Sequence, residues 1–305
     1  MCNDFDLLAH EIKDIHMYED LKPNTLEKRI KMAHSFNTKH FGNRVPSLEE
    51  TLHFLKQGAP HYKNGSWRNI RGALATYWWS IGNTSGAQVV RQTKNPDAHV
   101  KKSKQDRCKN VTHEEFEAML RTSYRLRNWL AASTLYIARY FGCRPSEMSD
   151  ILLVDEQKFL IIGSKKRGDR GIDRTIYIED PEIAKSMEVA IEAVRDVPTR
   201  TLQLAIEYVS EKTFPKRKAR PTIYSYRHTL GSTLKGAGID RVFVAYLMGH
   251  QSTESVEVYG DRRSGKGSAL FILPGVEVEE ILSLIRVKHR SPYSHRTRSV
   301  TPKKS

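Results

Sequence analysis

Residues 224–259 read YSYRHTLGSTLKGAGIDRVFVAYLMGHQSTESVEVY. Asp240 is a favourable N-cap for a helix whose residues 242–248 are apolar almost all round, a pattern typical of a buried helix. Gly249 suits the left-handed position that ends such a helix. His250 is therefore expected just past a buried helix, held by the core and facing a groove.

The same stretch contains residue types that phosphoryl transfer at DNA requires when no metal is used. Arg227 is a positive fork for a phosphate, His250 is a proton donor, and Tyr259 is a hydroxyl nucleophile. Ser252 or Thr253 is predicted to cap a further helix that carries Tyr259. The alternative is structural, a helix end followed by a packed aromatic residue.

Composition and charge favour a polyanionic partner. The chain has 305 residues, enough for two domains, and 50 Lys and Arg against 35 Asp and Glu give a net charge of +15. Nucleic acid is favoured over a membrane because no long apolar run or signal-like segment is found. A merely soluble basic protein is the alternative. Cys2, Cys108 and Cys143 have no metal-like spacing, which fits a reducing cytoplasm.

The first hundred residues are predicted to be all helical. Capping-box pairs, Asn24 with Glu27 and Ser47 with Glu50, mark the starts of two helices, and Ser66 is predicted to open a third. The apolar stripe of this third helix comprises Trp67, Ile70, Leu74, Tyr77 and Ile81.

Arg68 and Arg71 lie off that stripe, which predicts a basic face that binds DNA. Trp78 and Trp79 either stack on bases or, as aromatic residues at helical spacing, pack in the core. Residues 93–110 are predicted to be a basic linker. Its Lys101, Lys102 and Lys104 lie along a DNA backbone or are simply solvated.

Thr112 with Glu115 forms another capping box and is predicted to start the second domain. One long helix is expected, ending at Gly142, and its predicted apolar face comprises Leu126, Trp129, Ala132 and Tyr136. Pro145 suits the first turn of a following helix, which puts Arg144 at a helix junction where guanidinium and backbone amides can converge on phosphate. The alternative is a surface Arg144 paired with Glu147.

The β-forming runs 158–163 and 174–178 predict a hairpin with a basic tip, which either enters a DNA groove or is a solvated turn. Helices are predicted at about 182–195 and 201–212. A short amphipathic helix is predicted around Val278, Ile281 and Ile285, followed by a basic, disordered tail over 287–305.

The order of these parts resembles the tyrosine recombinase (phage integrase) family. Arg144, a hairpin lysine, Arg227, Gly249-His250 and Tyr259 follow one another behind a small helical domain. The segment FGCRPSE at 141–147 is similar to the family's Gly-x-Arg-x-x-Glu box, and LMGH is followed by a Tyr nine positions after its His. The resemblance covers roughly residues 10–285.

The resemblance implies a mostly α fold with a small β-hairpin or sheet and a two-domain, C-shaped clamp. Residues 1–92 would be a helical core-binding (SAM-like) domain, 93–110 the linker, and 111–286 the catalytic domain. A helix at 276–286 would pack onto a neighbouring protomer.

The resemblance also implies roles for individual residues. Tyr259 would attack a DNA phosphate and form a 3′-phosphotyrosyl link, while Arg144 and Arg227 would clamp the non-bridging oxygens. His250 would hydrogen-bond the phosphate. Lys166, or its neighbour Lys165, would protonate the leaving 5′-oxygen, and Glu147 would support Arg144.

One position departs from the family pattern. The family usually carries His three residues before its second Arg, where this chain has Tyr224. A phenol can still hydrogen-bond a phosphate oxygen, although it is a poor base near neutral pH. Tyr224 is therefore kept among the expected catalytic residues.

The expected function is site-specific cutting and rejoining of double-stranded DNA without metal, ATP or another cofactor. The protein is expected to be cytoplasmic and nucleoid-associated, of bacterial, archaeal or phage origin, acting as a dimer on one site and a tetramer on paired sites, with DNA-bending accessory proteins as possible partners. Two alternatives stay open: a type IB topoisomerase-like enzyme that cuts and reseals one strand, and a non-catalytic DNA-binding relative.

Overall fold

The computed structural model describes residues 18, 21, 23–42, 44–58, 62–98, 100, 106–164, 171–258, 264, 265 and 272–288. The chain divides into two compact units, Met1–Lys104 and Gln105–Ser305. Within the described residues, no helix has the length and apolar character needed to cross a membrane.

The first unit is helical, as predicted. Its helices are α1 (Pro23–Phe41), α2 (Leu48–His53), a π-helical turn (Phe54–Gly58), α3 (Asn64–Ser80) and α4 (Thr84–Gln92). Its core lies around Trp67, whose indole Nε1 donates to the Leu55 carbonyl at 3.0 Å. Trp78 is buried and Trp79 stacks on Tyr18, so the core interpretation of this tryptophan pair is confirmed.

The predicted helix starts in this unit are partly right. The Ser47–Glu50 capping box is present. Helix α1, however, begins at Pro23, so Asn24 lies in its first turn and is not the cap, because proline suits the first helical position. Helix α3 begins at Asn64 rather than at Ser66, and Lys63 at its N-cap makes no side-chain capping bond.

The second unit contains helices and one small sheet. The helices are α5 (His113–Arg125), α6 (Trp129–Phe141), a 3-10 helix (Pro145–Asp150), α7 (Pro181–Val194), α8 (Thr199–Thr213), α9 (Ile223–Gly236), α10 (Arg241–Leu247), a 3-10 helix (Thr253–Val258) and α11 (Val278–Leu284). The Thr112–Glu115 capping box is present, and Asp240 caps α10 as predicted.

The single long helix predicted after Thr112 is wrong, because α5 and α6 are separate. Arg127 adopts a left-handed conformation (φ 53°), which ends α5. Asn128 then caps α6, its side-chain oxygen accepting from the Ala131 amide at 3.0 Å. Leu126 and Trp129, expected on a buried face, are exposed beside this break.

The sheet has four antiparallel strands in the order β1 (Ile151–Asp155), β2 (Lys158–Ile161), β3 (Arg174–Ile178) and β4 (Ile272–Pro274). The predicted hairpin corresponds to β2 and β3, with Phe159 opposite Ile176. β1 was not predicted, because its run of exposed apolar residues lacks the alternation of a half-buried strand. β4 was not predicted either, because it has three residues and its pairing partners in β3 lie 94 to 98 positions earlier.

Two helices of this unit are followed by a glycine with a left-handed backbone. Helix α6 ends at Gly142, whose φ of 52° is the left-handed conformation, and Gly249, predicted to be left-handed, follows α10 with φ 62°.

The C-terminal segment packs on its own unit: Ile281 and Ile285 are buried, and the Arg286 amide donates to the Gln251 carbonyl at 2.9 Å.

Candidate active site

Arg144 lies directly after the end of α6, at the N-cap position of the 3-10 helix that Pro145 begins. Its side chain is 5% exposed and Glu147 is fully buried, so the surface-pair alternative is wrong. The guanidinium Nη1 donates to Glu147 Oε1, and the Arg144 amide donates to Glu147 Oε2 at 2.9 Å. The carboxylate therefore holds both the main chain and the side chain of this arginine.

Arg227 extends from α9 and connects the two helix ends. Its Nη1 donates to the Gly142 carbonyl at 2.7 Å, and its Nη2 donates to the Met248 carbonyl. Nη2 also lies 2.8 Å from Nε2 of His250. Arg144 Nη2 reaches the Gly249 carbonyl at 3.4 Å, so both predicted arginines converge on residues 248–250.

His250 is 2% exposed, and its amide donates to the Ala245 carbonyl at 2.8 Å. Burial, followed by the charges of Arg227 and Arg144, lowers the pKa of His250 to about 2. The imidazole is therefore neutral at physiological pH. A guanidinium is only a donor, so Nε2 is the accepting nitrogen and Nδ1 carries the proton.

Arg174 belongs to the same cluster, although the sequence analysis did not select it. It begins β3, is 1% exposed, and donates from Nε to the Leu247 carbonyl at 2.9 Å and from Nη2 to Glu147 Oε2 at 3.3 Å. A signal was available: Arg174 alternates with Ile176 and Ile178, the buried face of the strand.

The cluster contains more buried positive charge than buried negative charge. Burial raises the pKa of Glu147, but Arg174 and Arg144 outweigh it and lower the pKa to about 2, so the carboxylate is ionised. Within the described residues, three buried arginines face this one carboxylate and a neutral His250. The cluster thus carries two excess positive charges, as expected of a site that accepts an anion.

Tyr224 lies one helical turn before Arg227 on α9 and is 44% exposed. Among the described residues, Tyr224 makes no hydrogen bond to Arg144, Arg227 or His250. Tyr224 is therefore a partly exposed residue of this helix.

Several predicted site residues lie outside the described residues. They are Tyr259, Lys165, Lys166, Lys101, Lys102 and Lys104. The 3-10 helix Thr253–Val258 ends immediately before Tyr259, and Ser164 is the last described residue before the two hairpin lysines.

The two arginines predicted to bind DNA in the first unit differ in their surroundings. Arg68 is exposed. Arg71 is half-buried, lies 5.3 Å from the centre of the Trp67 ring, and donates to the Thr93 carbonyl at 2.9 Å. These contacts give Arg71 a packing role within its own unit.

A basic surface of the second unit joins two segments that are far apart in sequence. Cys108 contacts Arg217 (Sγ to Nη2, 3.3 Å), and its carbonyl accepts from Ser225 Oγ at 2.7 Å. The exposed cations Arg107, Lys109, Lys216 and Lys218 flank this contact. Residues 106–110, predicted to be linker, therefore pack on the second unit.

Comparisons with known proteins agree with this architecture. No protein-family model matches the chain. Tyrosine recombinase XerA of Pyrococcus furiosus is 26% identical over 231 residues, which cover 70% of this chain and 76% of that protein. A lambda integrase tetramer bound to a Holliday junction matches with a TM-score of 0.54 and 17% identity, covering 84% of this chain and 78% of that one.

The Tn1549 transposon integrase, in complex with a circular intermediate DNA, matches with a TM-score of 0.56 and 12% identity, covering 82% of this chain and 93% of that one. The fold is thus that of the tyrosine recombinases, mostly helical with a small antiparallel sheet. In sequence, the chain is similar to Tyrosine recombinase XerA, and in fold it is similar to lambda integrase and the Tn1549 integrase.

Proposed function

We propose that this protein is a site-specific DNA recombinase that cuts and rejoins double-stranded DNA through a 3′-phosphotyrosyl intermediate on Tyr259. The observation that carries the proposal is the buried excess of two positive charges formed by Arg144, Arg174, Arg227 and Glu147. A phosphodiester bears one negative charge, which grows more negative at the non-bridging oxygens as a fifth oxygen attacks. Fixed guanidinium groups stabilise that charge without reorganising.

Each side chain has a distinct role in this proposal. Arg144 and Arg227 hold the non-bridging oxygens, and neutral His250 donates a hydrogen bond to one of them from a ring N–H. Tyr259 loses its phenol proton to water as it attacks, and Lys166, or Lys165, protonates the 5′-oxygen as it leaves. Tyr224 hydrogen-bonds the phosphate from α9. Both arginines are enclosed in the free protein, so the proposal requires DNA binding to open the cluster.

Rejoining uses the same groups in reverse. The free 5′-hydroxyl attacks the phosphotyrosyl bond, Tyr259 leaves with a proton, and the DNA backbone is restored. Because the ester conserves the energy of the broken bond, the cycle uses no ATP, and arginine and lysine take the part that a metal has in other phosphoryl transfers.

The proposed partner is duplex DNA, bound mainly through phosphates. Arg68 on the first unit and the surface around Arg107, Lys109, Lys216 and Lys218 on the second provide exposed positive charge for it. We further propose that residues 1–92 and 111–286 close around the duplex as a clamp, as a dimer on one site and a tetramer on paired sites.

The decisive experiment is covalent capture. A library of nicked duplexes, made from DNA of the source organism and its mobile elements, is incubated with the full chain, and denaturation-resistant adducts are isolated and the joined DNA ends sequenced. Wild type is expected to give adducts at one recurrent sequence, linked through a 3′-phosphate to Tyr259. Tyr259→Phe is expected to bind the recovered site with unchanged affinity and to give no adduct.

The outcomes separate the alternatives. Strand exchange between two duplexes carrying the recovered site supports recombination, whereas relaxation of supercoiled DNA without exchange supports a topoisomerase-like enzyme. Sequence-specific binding with no adduct from wild type would identify a non-catalytic DNA-binding protein and refute the proposal.

A further inference from the structure

Arg174 forms a link between three parts of the candidate site that come from different regions of the chain. Its Nε bonds the carbonyl of Leu247, at the end of α10, and its Nη2 bonds Glu147 Oε2. It also begins β3, the second strand of the hairpin. A single guanidinium therefore contacts the turn that leads to His250 and the carboxylate that holds Arg144.

The fit of this side chain is close. A Cβ atom at Gly249 would lie 2.5 Å from Arg174 Nη1, so the guanidinium lies directly against the backbone of the glycine. Nη1 itself is buried without a hydrogen-bond partner among the described residues. A buried cation that leaves one donor unused is costly, and a surface position would avoid that cost.

We infer that Arg174 is a positioning residue for DNA cleavage, which holds Glu147 against Arg144 and fixes the turn from Leu247 to His250. The inference rests on the proposed function. Arg174 does not touch the phosphate; it acts through Glu147 and through the backbone of the turn. Glu147 Oε1 accepts from the Arg144 guanidinium, and Oε2 accepts from both the Arg144 amide and Arg174 Nη2. Loss of Arg174 therefore removes one of the contacts that hold the carboxylate, and the carboxylate and Arg144 can shift together.

Lysine is the informative replacement for Arg174. It keeps the positive charge, but an ammonium group cannot reproduce a fork that bonds a carbonyl and a carboxylate in one plane. Arg174→Gln, which keeps a planar donor without charge, is the second variant. Arg200→Lys is the matched control, because Arg200 is 62% exposed and pairs with Glu207 at 3.0 Å on α8.

The assay is single-turnover cleavage of a nicked suicide duplex that carries the site recovered by covalent capture, with DNA affinity measured separately. Arg174→Lys and Arg174→Gln are expected to cleave up to about 100-fold more slowly, because a displacement of about 1 Å at a phosphate clamp costs that much. Their DNA affinity is expected to stay within about twofold of wild type, since most binding contacts are made elsewhere.

Two further readouts distinguish positioning from a general loss of stability. The double variant Arg174→Gln, Glu147→Gln is expected to lose less than the product of the two single losses, because both changes break the Arg174–Glu147 link. When the solution is acidified, the cleavage rate of Arg174→Gln is also expected to fall at a higher pH than that of wild type. Without the Arg174 cation, the pKa of Glu147 is higher, so the carboxylate is protonated at a higher pH. The ionisable groups around Glu147 are Arg144, Arg174, Arg227, His250 and Cys143.

The experiment distinguishes failure of the inference about Arg174 from failure of the proposed function. If wild type forms no adduct, the proposed function fails and this inference fails with it. If wild type reacts, and folded Arg174→Lys and Arg174→Gln react at the wild-type rate, or if the losses in the double variant multiply, only the inference is overturned. If neither Arg174 variant folds, Glu147→Gln decides, and wild-type cleavage by that variant overturns the inference.

Discussion

Replacing Arg227 by lysine tests the central arrangement of the site. The guanidinium bonds the Gly142 carbonyl at 2.7 Å, the Met248 carbonyl, and Nε2 of His250 at 2.8 Å, and it is fully buried. A lysine keeps the charge but cannot reach all three acceptors, so at least one buried carbonyl loses its partner. That loss costs about 1–3 kcal/mol of folding free energy, which corresponds to roughly 2–12 °C in the melting temperature of a unit of this size.

The effect on cleavage is expected to be larger than the effect on stability. Loss of one fixed donor to a transition-state oxyanion costs about 10²- to 10³-fold in rate. Single-turnover cleavage of the suicide duplex, at a temperature where the variant is folded, measures this loss. Arg195→Lys is the control, because Arg195 is 42% exposed and pairs with Glu192 on the surface. Cleavage by Arg227→Lys within threefold of wild type would refute the assignment of Arg227 to the phosphate clamp.

Three other predictions concern stability and binding. Gly249→Ala is expected to lower the free energy of unfolding by more than Gly238→Ala, since both glycines have left-handed backbones but only Gly249 has an atom within 4 Å of the added Cβ; equal losses in chemical denaturation would contradict the packing described. The pKa of His250 is lower in the folded protein than in the unfolded chain, so the unfolded chain binds more protons and stability falls as pH drops below about 6.5. His250→Asn should therefore remove a pH dependence of at most about 1.4 kcal/mol per pH unit between pH 6 and 5, and identical pH profiles would disprove the buried neutral imidazole. Lys109→Gln is expected to reduce the slope of log affinity against log salt by about 1, measured by fluorescence anisotropy, whereas an unchanged slope would exclude a phosphate contact at this position.

Local features of the fold were predictable from the sequence. The capping boxes at Ser47 and Thr112, the cap at Asp240 and the left-handed turn at Gly249 each depend on residues within about four positions, so their side chains and backbone suffice to specify them. The same locality explains the errors. Asn24 and Ser66 carry capping side chains, yet the helices begin at Pro23 and Asn64. Where a helix begins depends on its packing within the unit as well as on its capping residues.

The pattern of residues between 224 and 259 by itself predicted the helix end at Gly249 and showed which chemical groups, those of Arg227, His250 and Tyr259, the chain offers there. Only the tertiary structure decided that Arg227 reaches the end of a helix 85 residues away, that Glu147 is shared by two arginines, and that Arg174 is buried with them. The physical reason is that hydrogen-bonded caps are satisfied by neighbours in sequence. A buried charge can be stabilised only by whatever groups the packing of distant elements brings to it.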